Sequence, residues 1–516
     1  MKVALTVADF LDRAALCFPE RTAVVDEPAE TGPPGALGRL TYGEVAARAK
    51  GMAVALDRMG VGPGERVGIV SPNAAKFLIS YFGVSGYGRT IVPINFRLNA
   101  EEVAYIVEHS GTSVLLVDPE YDAPLAGVTA KHRIVLDGTQ DAELFAALGP
   151  TAAAEPRGWT PDEDATASIN YTSGTTARPK GVQLTHRNLW LNAVTFGWHT
   201  TITERDTYLH TLPMFHCNGW GMPYALTGMG CKQVVIRKVD GAEILKRIEA
   251  EGVTLLCGAP AVVAAILDAA AAGAPVPAGV RMVVAGAPPP SKTIERVGTE
   301  LGWEFIQIYG LTETSPFLTM NRRITEWDDL PPAELAERLA RAGLPGIGVR
   351  MAVDDEGEVL ARSNVVFEGY WEQPEESAKA LRDGWFHTGD GGKLDGPYVV
   401  IEDRKKDVII TGGENVSSIE VEDCLYQHPA VAEACVIGVP DDKWGETVKA
   451  LIVRRGGEGD DVTEDELREF CRSRLAHYKC PTSVEFRDVL ERTATGKLQK
   501  FKMRKPYWEG RDRLVN

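Results

Sequence analysis

The chain is poor in several features that would place it in other protein classes. No run of 18 or more apolar residues occurs, so no membrane span is expected. The first residues, Met1-Lys2-Val3-Ala4-Leu5, do not open a signal-type apolar segment, because Asp9 and Asp12 interrupt it. Positive charge is in deficit: 55 Lys and Arg face 72 Asp and Glu, a net −17. That balance argues against a general binder of nucleic acid or anionic membranes. The eight cysteines (Cys17, Cys217, Cys231, Cys257, Cys424, Cys435, Cys471, Cys480) include no Cys-x-x-Cys pair and no metal-ligand spacing. They read as small hydrophobes in a reducing compartment, so a cytoplasmic location is expected. The Asn-x-Ser/Thr matches at Asn170 and Asn415 are then false positives. Solenoid-type repeats and low-complexity tracts are missing too, and Ser173 lacks the Gly-x-Ser-x-Gly elbow of a serine hydrolase.

The chain has 516 residues, 44% apolar and 25% charged, enough for two to four globular domains. Its texture alternates strand and helix. Thr41-Tyr42-Gly43-Glu44 has the form of a capping box, opening a helix with Val45, Ala49, Met52, Ala53 and Leu56 on one face and ending near Gly60. A short buried strand is expected at 66–70 and a second helix over 73–82. The apolar stretches 281–284 and 304–308 each run into a glycine, placing Gly286 and Gly310 on one cleft at the ends of parallel strands. The alanine-rich run 261–272 reads as helix. Past residue 403 the texture changes: a charged knot, Arg404-Lys405-Lys406, precedes strands over 434–439 and 447–453 and a helix from Thr463 to about Leu475. This pattern predicts a large α/β N-terminal domain (1–403) of stacked α/β subdomains and a small α+β C-terminal lid (404–516) on a joint near Lys406.

The most informative segment is Tyr171-Thr172-Ser173-Gly174-Thr175-Thr176-Ala177-Arg178-Pro179-Lys180-Gly181. Glycine lets backbone N–H groups turn inward, the hydroxyls donate, and Lys180 adds a point charge, which together can hold polyphosphate oxygens. No Gly-Lys-Ser/Thr closes the loop, so this is not a Walker A sequence. Taken alone, the stretch is equally an ordinary polar loop.

Four further motifs follow in order: Gln307-Ile308-Tyr309-Gly310-Leu311-Thr312-Glu313; His387-Thr388-Gly389-Asp390; Asp403-Arg404-Lys405-Lys406-Asp407 with Gly412-Gly413-Glu414; and Arg492-Thr493-Ala494-Thr495-Gly496-Lys497. With the loop they resemble the adenylate-forming superfamily of acyl-CoA synthetases, luciferases and peptide-synthetase adenylation domains. The likeness extends over nearly the whole chain, with Glu491 in place of a usual proline and Gly391-Gly392 after Asp390 as departures.

The resemblance implies roles. The loop, through Thr172, Ser173, Gly174, Thr175, Thr176 and Lys180, would hold the ATP phosphates. Glu313, with Thr175, would hold Mg²⁺, which needs hard oxygen ligands. Gln307, Tyr309, Gly310, Thr312, Gly286 and Ala287 would bind the nucleotide, Tyr309 stacking on the adenine and Gly286-Ala287 packing against adenine and the acyl group, with Gly286 and Gly310 also lining the substrate pocket; a core tyrosine and a tight turn are the competing readings. Asp390 would accept from the ribose diol, helped by Arg404, against the alternative of a buried salt bridge between the two. Lys497 would bridge the attacking carboxylate and the α-phosphate, where a preorganised cation offsets the repulsion of two anions. Lys500 reads as a solvated neighbour. His216 and Trp220, in Pro213-Met214-Phe215-His216-Cys217-Asn218-Gly219-Trp220, resemble an acyl-pocket segment, the tryptophan an aromatic gate; an unspecialised core cluster is the alternative. Gly228 and Gly230 would leave room nearby. Gly412 and Gly413 would line a pantetheine channel once the lid turns about Lys406, unless they form an ordinary turn.

The implied activity is ATP-dependent conversion of a carboxylic acid to acyl-AMP and then to acyl-CoA, with CoA as co-substrate and a medium- or long-chain fatty acid as the expected acid. Short, thio-substituted, branched or aryl acids, and transfer to a carrier protein or another nucleophile, are the alternatives. No carrier domain is attached, which favours free CoA. A homodimer is the family-weighted assembly. A non-catalytic nucleotide-binding scaffold would not require the Lys497, Glu313 and Asp390 that are present.

Overall fold

The computed structural model describes residues 1–27, 32–149, 154–172, 179–286, 289–404 (Arg404 by its backbone), 407–411, 414–441, 443–456, 461–492 and 498–509. A nine-stranded sheet carries Arg281–Val284 and Glu304–Gly310 side by side and parallel, and Leu255–Gly258, Thr207–His210, Lys232–Val235 and Thr22–Val25 continue the parallel run. The edge strands Phe317–Asn321, Leu344–Pro345 and Arg39–Thr41 are antiparallel. Alternate residues of the central strands enter different cores. Tyr208, Leu255, Cys257, Val283, Ile306 and Ile308 face one; Leu209, Leu256, Met282, Val284 and Phe305 face the other. Burial on both faces explains why these strands read as continuous apolar runs.

The first of those cores is shared with a seven-stranded sheet, in which Thr166–Thr172, Thr90–Ile94, Arg66–Val70, Thr112–Val117 and His132–Val135 are parallel. An antiparallel five-stranded sheet follows, including Glu358–Arg362, Trp385–Asp395 and Tyr398–Arg404. The C-terminal part has its own sheet, built on Val431–Asp441 and Gly445–Arg454, and its own core, including Ile409, Val421, Val436, Ile452 and Leu467. A large α/β N-terminal domain and a smaller C-terminal one are therefore both present. No helix among the described residues is long and apolar enough to cross a membrane.

Local expectations mostly hold. Thr41 Oγ1 accepts from Glu44 N–H (3.2 Å) and Glu44 Oε2 from Thr41 N–H (2.7 Å), opening the helix Tyr42–Arg58. The alanine-rich helix is Pro260–Ala271, and Thr463 caps Glu464–Arg472. Seven of the eight thiols are buried; Cys17 is exposed. Two expectations change. The helix expected over 73–82 is Ala75–Ser80 followed by a wider turn, Tyr81–Ser85, because Asn73 is engaged elsewhere. Its amide donates to the His210 and Leu212 carbonyls (2.7 and 3.0 Å) and accepts from Met214 N–H (2.7 Å), tying the two large sheets together. Gly228 and Gly230 leave no room: a side chain at either would run into the Phe10 or Phe18 ring.

Candidate active site

The polar loop joins two strands of one hairpin. Thr166–Thr172 pairs antiparallel with Lys180–Thr185, a strand not foreseen, and Thr172 lies directly opposite Lys180 at the loop's mouth. Lys180 Nζ pairs with Glu376 Oε2 at 2.5 Å and lies 4.8 Å from the centre of the Tyr370 ring. Hydrogen bonds from Lys180 and then Lys379 pull the Glu376 carboxyl down to about 2. Tyr370 reaches this place because Gly369–Tyr370 pairs with the hairpin, Tyr370 opposite Val182. Its hydroxyl donates to Glu313 Oε1 at 2.9 Å. Burial, then the Glu313 charge, raises the phenol above its ordinary range, so it stays a donor.

Glu313 sits on a single turn, Thr312–Thr314, after the strand Glu304–Gly310. Thr314 Oγ1 accepts from Leu311 N–H (2.9 Å) and donates to the Pro316 carbonyl (2.7 Å), fixing the turn. Gly310 is required here by the Pro316 carbonyl, which fills the space a side chain would take. Gly286, at the end of the neighbouring strand, has φ +94° and open space beside it. Gln307 is buried, and its Oε1 receives no hydrogen bond among the described residues.

Tyr309 and Asp390 come together: the Tyr309 hydroxyl donates to Asp390 Oδ2 at 2.8 Å. Asp390 is paired in register with Arg404 and is buried. Glu358 holds this segment from behind, its Oε1 accepting from Gly389 N–H at 2.8 Å and its Oε2 lying 3.3 Å from His387 Nδ1.

The segment 213–220 adopts an unusual form. Cys217, Asn218, Gly219 and Trp220 all have φ between +44° and +60°, a left-handed turn of four residues, followed by Gly221 at φ +78°. Such backbone costs about 1–2 kcal/mol per non-glycine residue and survives where its surroundings over-determine it. Here a buried polar network does so. Asn218 Oδ1 accepts from Ser168 Oγ (3.1 Å) and Asn170 Nδ2 (3.3 Å), while its own amide donates to Asn170 Oδ1 (3.2 Å). Asn192 Nδ2 donates to the Trp220 carbonyl at 3.2 Å. The Cys217 thiol lies 3.9 Å from the Thr312 carbonyl; burial, then the Glu313 charge, raises it, so it stays neutral. His216 stands half-buried at the head of the turn, and Trp220 is 3% exposed.

Of the predicted residues, Lys180 and Glu313 meet through Tyr370, Thr312 meets Cys217, and Tyr309 meets Asp390. Ser173, Gly174, Thr175, Thr176, Ala287, Lys406, Gly412, Gly413 and Lys497 lie outside the described residues, as does the Arg404 side chain. Lys500 is a correction. It is enclosed, with Nζ 2.8 Å from Glu422 Oε1, because distant acids provide the partners that burial demands. Tyr370, Glu376 and Glu358 were not singled out from sequence. An acid in a polar helix start and a tyrosine on a short strand look solvated until the pairing of 369–370 with 182–183 is known.

The chain matches the AMP-binding enzyme family over residues 11–371 and the AMP-binding enzyme C-terminal domain over 420–497. It is 38% identical to a 4-hydroxybutyrate–CoA ligase of Metallosphaera sedula, covering 97% of this chain and 94% of that one. It is 35% identical, with the same coverage, to a peroxisomal acetate/butyrate–CoA ligase of Arabidopsis thaliana. Among solved structures, o-succinylbenzoate–CoA synthetase of Bacillus subtilis in complex with its acyl-adenylate intermediate superposes with a TM-score of 0.81 at 29% identity, covering 96% of this chain and 97% of that one.

Proposed function

The chain belongs to the AMP-binding enzyme family, and from that premise we propose that it activates a short carboxylic acid of two to five carbons, linear, branched or hydroxylated, for transfer to CoA. It is an AMP-forming acid–thiol ligase using ATP, Mg²⁺ and CoA. The observation that supports the short-acid reading is the close packing around the segment we assign to the acyl pocket: Trp220 is buried in a left-handed turn, and the space at Gly228 and Gly230 is taken by Phe10 and Phe18. Relatives named for 4-hydroxybutyrate and acetate/butyrate agree with it. A medium- or long-chain acid is the second reading, favoured if Trp220 swings as a gate.

In the first half-reaction we assign the hairpin 172–180 to the β- and γ-phosphates. Asp390, an acceptor oriented by Tyr309, takes the ribose hydroxyls. Glu313 offers a hard carboxylate, steadied by Tyr370 and close to the phosphate hairpin, and this donor set suits Mg²⁺. Bound there, the ion supplies charge neutralisation of the phosphates. Lys497 is assigned to the meeting oxygens of carboxylate and α-phosphate, and His216 to the acid's carboxylate. The acid oxygen displaces pyrophosphate, giving acyl-AMP; the CoA thiolate then displaces AMP and the thioester forms. We place the joint between the domains at 404–407, with Gly412 and Gly413 serving the second step after a hinge-type rotation.

The test is pyrophosphate release with MgATP across C2 to C18 acids plus 4-hydroxybutyrate, benzoate and methylthiopropionate, with and without CoA. The highest kcat/KM on C2 to C5 acids with CoA-dependent thioester is expected. A maximum at C8 or longer would replace the short-acid reading with the gate reading, and pyrophosphate without thioester would remove CoA as acceptor.

A further inference from the structure

The small domain contains a buried ionic network that the assigned steps do not use. Lys500 opens the helix Lys500–Arg504, three residues after Lys497. Its ammonium pairs with Glu422 Oε1 at 2.8 Å and donates to Ser418 Oγ. Ser418 Oγ donates in turn to Asp403 Oδ2, and Ser418 N–H reaches the same oxygen at 3.0 Å. Only 12% of the Lys500 side chain and 14% of the Glu422 side chain are exposed, and Asp403 and Ser418 are buried. A charge this enclosed is retained only with partners, and here they come from two elements, the helix Ser418–Tyr426 directly and the hinge-side strand Tyr398–Arg404 through Ser418.

Two neighbours give the network its direction. Asp403 is paired with Gly391, one rung along the ladder from Asp390 and Arg404, so Lys500 is tied through Ser418 to the strand pair that carries Asp390, from its opposite face. The residue next to Glu422, Asp423, faces the large domain. There Ser291 N–H and Oγ donate to its Oδ1 at 2.8 and 3.0 Å, at the start of the helix Ser291–Glu300 that follows the Gly286 turn. One helix thus holds Lys500 on one side and docks on the start of the helix Ser291–Glu300 with the other. Rotation at 404–407 leaves Asp403 and Ser291 behind while Ser418, Glu422, Asp423 and Lys500 move, so both connections belong to one orientation.

We propose that Lys500 is a positioning residue for adenylation: through Ser418 and Asp403 it fixes the segment that carries Lys497 against the ribose end of the cleft. The inference rests on the assignment of Lys497 to that step. It is tested in the full chain by measuring the two half-reactions separately, as pyrophosphate release with MgATP and acid, and as thioester formation from supplied acyl-AMP and CoA. Misplacement by an ångström at a reacting group is worth about 10²-fold in rate, so Lys500→Met is expected to lower adenylation kcat by about that factor with little change in KM for ATP or acid. Thioester formation from supplied acyl-AMP should fall less than about threefold, and Lys500→Arg should recover most of the adenylation rate. Equal loss in both half-reactions, or no loss, overturns the inference.

Because Lys500→Met strands Glu422, the charge-balanced double variant Lys500→Met/Glu422→Gln is measured beside it, and the same split is expected. Wild-type adenylation in the double variant also overturns the inference. Lys497→Ala in the same assay separates the two layers. If it keeps adenylation, the underlying assignment fails; if it loses adenylation while Lys500→Met does not, only the role of Lys500 fails.

Discussion

Glu313, Tyr370, Lys180 and Glu376 form a chain in which each group constrains the next: hydroxyl to carboxylate at 2.9 Å, ammonium over ring at 4.8 Å, ammonium to carboxylate at 2.5 Å. Tyr370 is its centre, and Tyr370→Phe removes only the oxygen while leaving the ring under Lys180. A hydrogen bond to an ionised group contributes about 1.5–3 kcal/mol, and half exposure puts this one at the lower end. The magnesium concentration for half-maximal pyrophosphate release should therefore rise by about tenfold, a change of roughly 1.4 kcal/mol, with KM for the acid unchanged. A magnesium titration reads this directly; a matching rise in acid KM would move the hydroxyl's role to the acyl pocket. The Lys180–Glu376 pair is not acid-labile in the usual assay range. A carboxyl depressed to about 2 contributes its stability above the ordinary carboxyl pKa and loses it only as pH falls toward 2.

At the scale of elements, the turn Cys217–Trp220 depends on Asn218 twice. Asparagine tolerates a left-handed backbone better than most residues, and its buried amide satisfies both Ser168 and Asn170. Asn218→Ala adds backbone cost and leaves those partners unmet, about 2–4 kcal/mol together; Asn218→Gly relieves the backbone only. Chemical denaturation should rank wild type above Gly above Ala, with acid KM rising in both variants and ATP KM less affected. If Ala and Gly were equally stable, the backbone share of the argument would fail. Sequence reading was uneven at this scale, for physical reasons. Thr41 and Glu44 announce a helix because the cap is local. Nothing local announces four left-handed residues of which Gly219 alone is glycine, since what stabilises them lies about fifty residues upstream in the strand Thr166–Thr172. Gly228 and Gly230 looked like open space for the same reason: Phe10 and Phe18 close it from the far N-terminus.

For the whole molecule, the two-domain plan and the order of the site segments were legible because the motifs are contiguous stretches of local pattern, as where the apolar strand Glu304–Gly310 runs into its glycine. Lys500 was not, because its burial is decided by Glu422 and Asp403. The large domain carries a second consequence of packing. Burial holds His186 and His210 down to about 4, His186 accepting from Val7 N–H through Nδ1 and His210 paired with Gln233 at 3.0 Å. Both are neutral in the fold, while in the unfolded chain they titrate near the ordinary histidine value. Between about 6.5 and 4 the unfolded state therefore binds more protons, so stability is full above that window and falls as pH falls through it. Each histidine accounts for at most about 3 kcal/mol across it. The melting temperature should decline from pH 7 to pH 4.5, before carboxylate protonation dominates, and His210→Gln should remove about half of that slope while lowering Tm at pH 7.5. A His210→Gln variant with the wild-type slope would assign the acid sensitivity to other groups, His199 and His428 first, since burial lowers them too.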